Sequence, residues 1–223
     1  MVIEPMKCGT EEFQVHLPEE LIAAELEPNR VELPQRTPAE HIRWALDHPV
    51  DSAPLKQLVK AGDKVCIVIS DVTRRWQSPE TYIPVLIAEL ESAGIRDEDM
   101  LIISATGTHR RQTPEEHMGL VTKAVYERIE LVDHVCTDEE NLSYVGTTSR
   151  GTPVWLDKRA LACDKIILTG GVVYHFMADF GASKIHVVKT LDQALALSRE
   201  LNGGKDLRAT LMPHGANTLP KFA

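Results

Sequence analysis

Three short segments of this 223-residue chain gather the side chains that can do chemistry. Ser70-Asp71-Val72-Thr73-Arg74-Arg75 brings a carboxylate and a guanidinium together. Ser104-Ala105-Thr106-Gly107-Thr108-His109-Arg110 supplies a histidine. Thr169-Gly170-Gly171-Val172-Val173-Tyr174-His175 supplies another. Imidazole titrates near ~6.5 and so gives or takes a proton at neutral pH. The planar fork of Arg74 can grip a carboxylate through two hydrogen bonds. Asp71 can orient Arg74 or a histidine, or simply cap a helix entry through Thr73. His109 and His175 with Arg74 and Asp71 suit a carboxylate substrate that has a proton to move at an adjacent carbon or hydroxyl. Two bases also suit racemisation, which must treat both faces of one carbon alike. The glycines Gly107, Gly170 and Gly171 can serve only to turn the chain. They form neither a G-x-G-x-x-G fingerprint nor a G-x-x-x-x-G-K-S/T loop, so dinucleotide and nucleoside-triphosphate readings lose support.

Each of these segments follows a run that reads as a buried strand. Val65-Cys66-Ile67-Val68-Ile69, Met100-Leu101-Ile102-Ile103 and Lys165-Ile166-Ile167-Leu168-Thr169 are apolar on both faces, as strands of a parallel sheet are. Ile129 to Val132, Ile185 to Val188 and Leu207 to Met212 are further strand candidates. Helices are predicted from the Thr37-Pro38-Ala39-Glu40 box to about Asp47, and from Ser78-Pro79 to Ala93 with Gly94 as the stop. Others start at the Thr113-Pro114-Glu115-Glu116 box and run from Leu191 to Leu201. Strands alternating with helices predict an α/β fold, a Rossmann-like and mostly parallel sheet flanked by helices. Tyr144-Val145-Gly146 and Pro153-Val154-Trp155 flank a polar turn and predict an antiparallel hairpin. Phe13, Val15 and Leu17 alternate as in a half-buried strand within a proline-punctuated N-terminal arm. In such sheets ligands bind beyond the carboxyl ends of the strands, so the three segments are expected to meet there.

The composition narrows the function. The formal net charge is −9 and no basic run exceeds a pair such as Arg110-Arg111, which argues against nucleic acid. No apolar stretch approaches the ~20 residues of a membrane helix, and residues 1–12 lack an apolar signal core, so a cytoplasmic protein with no membrane partner is expected. Cys8, Cys66, Cys136 and Cys163 form no C-x-x-C pair and read as free thiols, with Cys66 in the core. His16, His41, His48, His117, His134 and His214 show no pattern, and His186 reads as a strand residue.

The motifs resemble the N-terminal domain of the nickel-dependent lactate racemase family. Four stretches carry the resemblance: Ser70-Asp71-Val72-Thr73-Arg74; Gly107-Thr108-His109-Arg110; Val145-Gly146-Thr147 through Gly151-Thr152-Pro153-Val154; and Gly170-Gly171 to His175-Phe176-Met177-Ala178. They agree in order and spacing over roughly residues 7–180, and Lys189 to Pro220 looks like the family's C-terminal end. The resemblance implies interconversion of the stereoisomers of a small 2-hydroxy acid. A nickel pincer nucleotide would exchange hydride with the substrate carbon. His109 and His175 would exchange the hydroxyl proton, and Arg74, with Asp71 beside it, would hold the carboxylate.

After the second histidine the chain departs from the family. It runs Asp179-Phe180-Gly181-Ala182-Ser183-Lys184 straight into the C-terminal segment, without the family's glycine pair or long middle region. Lys184 lies one residue early for the lysine that anchors the cofactor, and it equally begins the strand 185–188. No equivalent of the family's nickel histidine is found. The expected organisation is therefore an arm over 1–36, a racemase-like α/β domain over 37–180, a junction over 181–183, and a strand-helix-strand over 184–223 that completes the same domain. The chain is either a domain-deleted form or a natural short relative. On this reading the isolated chain is inactive as a racemase, binds no cofactor of its own, and self-associates through the exposed former interface. The alternatives are a non-catalytic module that binds a carboxylate or phosphate through Arg74, and a zinc hydrolase built on His109, His175 and Asp71.

Overall fold

A computed structural model describes residues 2–8, 11–25, 32–171, 190–204 and 209–211. His175, Lys184 and the strand expected over 185–188 lie outside the described residues. Three strands come first: β1 (Val2–Cys8), β2 (Glu11–Leu17) and β3 (Ile22–Glu25). Helices α1 (Pro38–Asp47) and α2 (Leu55–Leu58) follow. The α/β rhythm is β4 (Val65–Ser70), α3 (Pro79–Ser92), β5 (Met100–Ala105), α4 (Pro114–Val121), α5 (Lys123–Tyr126) and β6 (Glu130–His134). Next come β7 (Leu142–Thr147), β8 (Pro153–Asp157), α6 (Lys158–Leu161) and β9 (Lys165–Leu168), then α7 (Leu191–Leu201) and β10 (Ala209–Leu211).

The chain divides into two compact units, residues 34–171 and residues 1–33 together with 172–223. In the latter, β1 pairs antiparallel with β2, and β10 lies parallel beside β3. In the former, four parallel strands take the order β6-β5-β4-β9, the fold class expected from the apolar runs. The β7–β8 hairpin is antiparallel, as expected, and forms a sheet of its own.

The β4 and β5 runs are apolar throughout because both faces of the sheet are packed there; β9, expected to be buried as well, is instead an edge strand on which Ile166 and Leu168 stay exposed among the described residues. Val65, Ile67, Ile69, Met100 and Ile102 point to one face, against Ile83, Leu86, Ile87 and Leu90 of α3 and Leu120 and Val121 of α4. Cys66 and Ile103 point to the other, against Ala160 of α6. Fully burying side chains of this size contributes roughly 1.5–3 kcal/mol each relative to exposure. Burial pushes the Cys66 thiol up to about 12, so it is a core atom rather than a nucleophile.

Local signals set the helix limits. Thr37 and Thr113 each accept a hydrogen bond from the amide of the glutamate three residues on, and that glutamate accepts from the threonine amide in return. α3 starts at Pro79 after Ser78, which takes a left-handed φ of 53°. Pro84 inside α3 removes one helical hydrogen bond, a cost of roughly 3 kcal/mol that the packed Ile83, Leu86, Ile87 and Leu90 offset. Gly94 ends this segment at φ +88°, where a Cβ would sit 3.1 Å from that of Ala61.

Candidate functional site

The strand order decides which loops meet. β4 lies between β5 and β9, so the loop after β4 adjoins the loop after β5. β4 ends at Ser70, and Asp71 caps two short 3-10 turns over Val72–Gln77 that join at a kink at Arg74. β5 ends at Ala105, and Gly107, at φ +59°, turns the chain so that His109 comes back over the end of β4.

There His109 Nδ1 lies 2.5 Å from Asp71 Oδ2. The Asp71 side chain is 4% exposed and that of His109 is 48% exposed, so a buried carboxylate holds a half-open imidazole. Asp71 Oδ1 accepts from the Thr73 amide at 3.1 Å and from the Thr73 hydroxyl at 2.6 Å. Thr73 Oγ1 in turn accepts from the exposed Arg74 guanidinium at 3.2 Å. Burial by itself pushes the Asp71 carboxyl up, but the hydrogen bonds from Thr73 and His109 outweigh it and hold the group below its usual range. An ionised Asp71 fixes the proton on Nδ1 and leaves Nε2 of His109 as the acceptor that can take a proton.

The neighbouring arginines are differently engaged. Arg110 forms a bidentate pair with Glu116 at 2.7 and 2.8 Å, and that pair with the Thr113 amide pulls the Glu116 carboxyl down to about 2. Arg75 lies along α4, its guanidinium 3.5 Å from where a Cβ on Gly119 would stand. Arg74 is bonded only to a neutral hydroxyl among the contacts described for it, so no carboxylate of the chain occupies its guanidinium there. The third strand end is tied in through Thr169, whose hydroxyl meets Tyr82 of α3 at 3.1 Å. Gly171 stands where a Cβ would meet Gln77 Nε2 at 3.0 Å.

The structure thus brings together Asp71, Arg74 and His109. Asp71 orients the histidine directly and Arg74 through Thr73, and it also caps the turn. Several participants were not singled out by the sequence. Gln112 bridges three strand ends: its Oε1 accepts from the Val72 amide at 2.7 Å and its Nε2 donates to Ser104 Oγ and Asp133 Oδ1 at 2.6 and 2.9 Å. His117, without pattern in the sequence, is buried and donates from Nε2 to Asp133 Oδ1 at 2.9 Å. Its place one turn before Leu120 and Val121 on the apolar face of α4 was the signal available. His134 pairs with Asp157, which Arg159 also grips. That group borders an apolar cavity of about 420 Å³ lined by Val68, Ile103, Trp155 and Leu168, and none of Asp71, Arg74 or His109 reaches it.

Residues 8–190 match the family described as the lactate racemase N-terminal domain. The chain is similar to a lactate racemase of Lactiplantibacillus plantarum, 30% identical over 149 residues, which are 67% of this chain and 35% of that protein. It is also similar to a lactate racemase of Thermoanaerobacterium thermosaccharolyticum, 27% identical over 143 residues, 64% of this chain and 33% of that one. The chain therefore spans about a third of the length of these relatives. A solved structure of the lactate racemase apoprotein from T. thermosaccharolyticum superimposes with a TM-score of 0.66 at 25% identity, over 78% of this chain and 40% of that one.

Proposed function

The chain belongs to the lactate racemase N-terminal domain family, and from that premise we propose that it is the N-terminal half-site of an enzyme that interconverts the stereoisomers of a 2-hydroxy acid. The observation that carries the reading is the buried Asp71 carboxylate 2.5 Å from His109, with Arg74 joined to it through Thr73. Arg74 holds the substrate carboxylate. His109 takes the proton of the adjacent hydroxyl at Nε2, and Asp71 stabilises the imidazolium that results. His175 supplies the second acid-base, in keeping with a reaction that serves both faces of the carbon.

The hydride step belongs, on this reading, to a nickel pincer nucleotide held by the whole enzyme. Among the described residues no group of three or more His, Cys, Asp or Glu side chains is placed to hold a metal ion. The chemistry that Asp71, Arg74 and His109 carry is carboxylate binding and proton exchange. On this reading the isolated chain binds 2-hydroxy acids through Arg74 and does not racemise them by itself.

The test has two parts. Intact mass after co-expression with nickel and cofactor-making proteins is expected to show no adduct, and incubation with L-lactate to yield no D-lactate by chiral chromatography. NMR titration with L- and D-lactate is expected to shift the signals of Asp71, Arg74 and His109, and Arg74→Ala is expected to weaken that binding by at least tenfold, as loss of a charged hydrogen bond does. Equal lactate binding by Arg74→Ala would overturn the assignment, and a covalent adduct with normal turnover would overturn the half-site reading.

A further inference from the structure

Asp71 and His109 come from loops after different strands, and no ladder hydrogen bond fixes one loop against the other beyond Ser70 and Ala105. Gln112 does. Its side-chain oxygen accepts from the amide of Val72, the residue next to Asp71, at 2.7 Å. Its amide nitrogen donates to Ser104 Oγ, near the end of β5, and to Asp133 Oδ1 on β6. Its own backbone amide donates to Asp133 Oδ2 at 2.9 Å. Both amide hydrogens and the oxygen are thus engaged at three neighbouring strand ends.

The far end of this network is itself fixed. Ser104 is fully buried and Asp133 is 8% exposed. Burial pushes the Asp133 carboxyl up, but hydrogen bonds from Gln112 and from His117 outweigh it and keep the group below its usual range. An ionised Asp133 accepts only, so it sets which way the Gln112 amide faces, and the amide oxygen is left aimed at Val72. Gln112 lies three residues after His109, so the bond that holds the Val72 amide also sets how far the 106–112 loop folds back over Asp71.

We propose that Gln112 is the positioning residue of the Asp71–His109 pair, holding the two loops at the spacing that keeps the His109 proton on Nδ1. This inference rests on the half-site reading for its importance to catalysis, but its test does not pass through activity. In the full chain, the His109 Nδ1 proton in its short bond to Asp71 is expected to give a low-field NMR resonance, identified by its disappearance in His109→Gln. The Val72 amide is expected to exchange slowly with solvent. Gln112→Met keeps the shape and removes all three bonds; Gln112→Glu keeps the acceptor but sets a carboxylate against Asp133. Both are expected to lose the low-field resonance and to let the Asp71 carboxyl titrate closer to the ordinary ~3.9; Gln112→Met is expected to lose the protection of Val72 as well. A merely structural bond would lower the melting temperature and leave the resonance and the Asp71 titration in place. A folded variant with both unchanged, or a Val72 amide that already exchanges freely in the wild type, would overturn the proposal. Failure to bind lactate with the resonance intact would instead count against the half-site reading alone.

Discussion

Asp71→Asn is the substitution that most directly probes the site. An asparagine can keep its amide oxygen where Oδ1 accepts from the Thr73 amide and hydroxyl. Its NH2 group then faces the Nδ1 hydrogen of His109, donor against donor. The imidazole must leave, or move its proton to Nε2, which removes the base. A hydrogen bond to a charged group contributes roughly 1.5–3 kcal/mol. Because the imidazole is 48% exposed, screening favours the low end, about 1.5 kcal/mol, or about tenfold in the unfolding equilibrium. The pH dependence follows from the direction of the Asp71 shift. The folded-state value lies below the unfolded one, so the stabilisation is fully present above the unfolded value of ~3.9 and is lost as pH falls through the folded one. Asparagine does not titrate. The acid limb of the comparison lies below about pH 5, where the Asp71 carboxyl itself takes up its proton. There the gap between wild type and variant should close on acidification by at most ~1.4 kcal/mol per pH unit. Urea unfolding can be followed by the fluorescence of Trp44, Trp76 and Trp155, all in the unit 34–171. Equal midpoints at pH 7, or a gap that does not change between pH 5 and 3, would refute the argument.

Thr113→Ala removes the side-chain acceptor of the Glu116 amide at the start of α4 and should cost about 1 kcal/mol in urea unfolding. Leu90→Ala empties a fully buried position on α3 and should cost roughly 2–5 kcal/mol, read in the same assay. Native alkylation followed by mass mapping should label the exposed Cys136 well before Cys66, whose thiol burial pushes up to about 12; labelling of Cys66 at the rate of Cys136 would show that the sheet face over it opens readily.

Much of the fold was legible because its signals are local. The apolar runs at Val65, Met100 and Lys165 became parallel strands, and the Thr-Pro-x-Glu boxes at Thr37 and Thr113 became capped helix starts, because strand burial and capping need only a few adjacent residues. The strand-end rule likewise placed Asp71, Arg74 and His109 in one neighbourhood before any contact was known. The sequence left open whether Asp71 serves the arginine, the histidine or the helix cap, and only the tertiary structure decided. With β4 packed between β5 and β9, His109 comes within 2.5 Å of Asp71 Oδ2, while Thr73 carries the link to Arg74. Gln112, His117 and Asp133 were invisible for the same reason. Each is an ordinary polar residue in its own segment, and each acquires its role from partners up to 40 residues away. Hydrophobic periodicity and capping are written in neighbouring residues; the pairing of buried polar groups depends on strand order, which no short stretch of sequence contains.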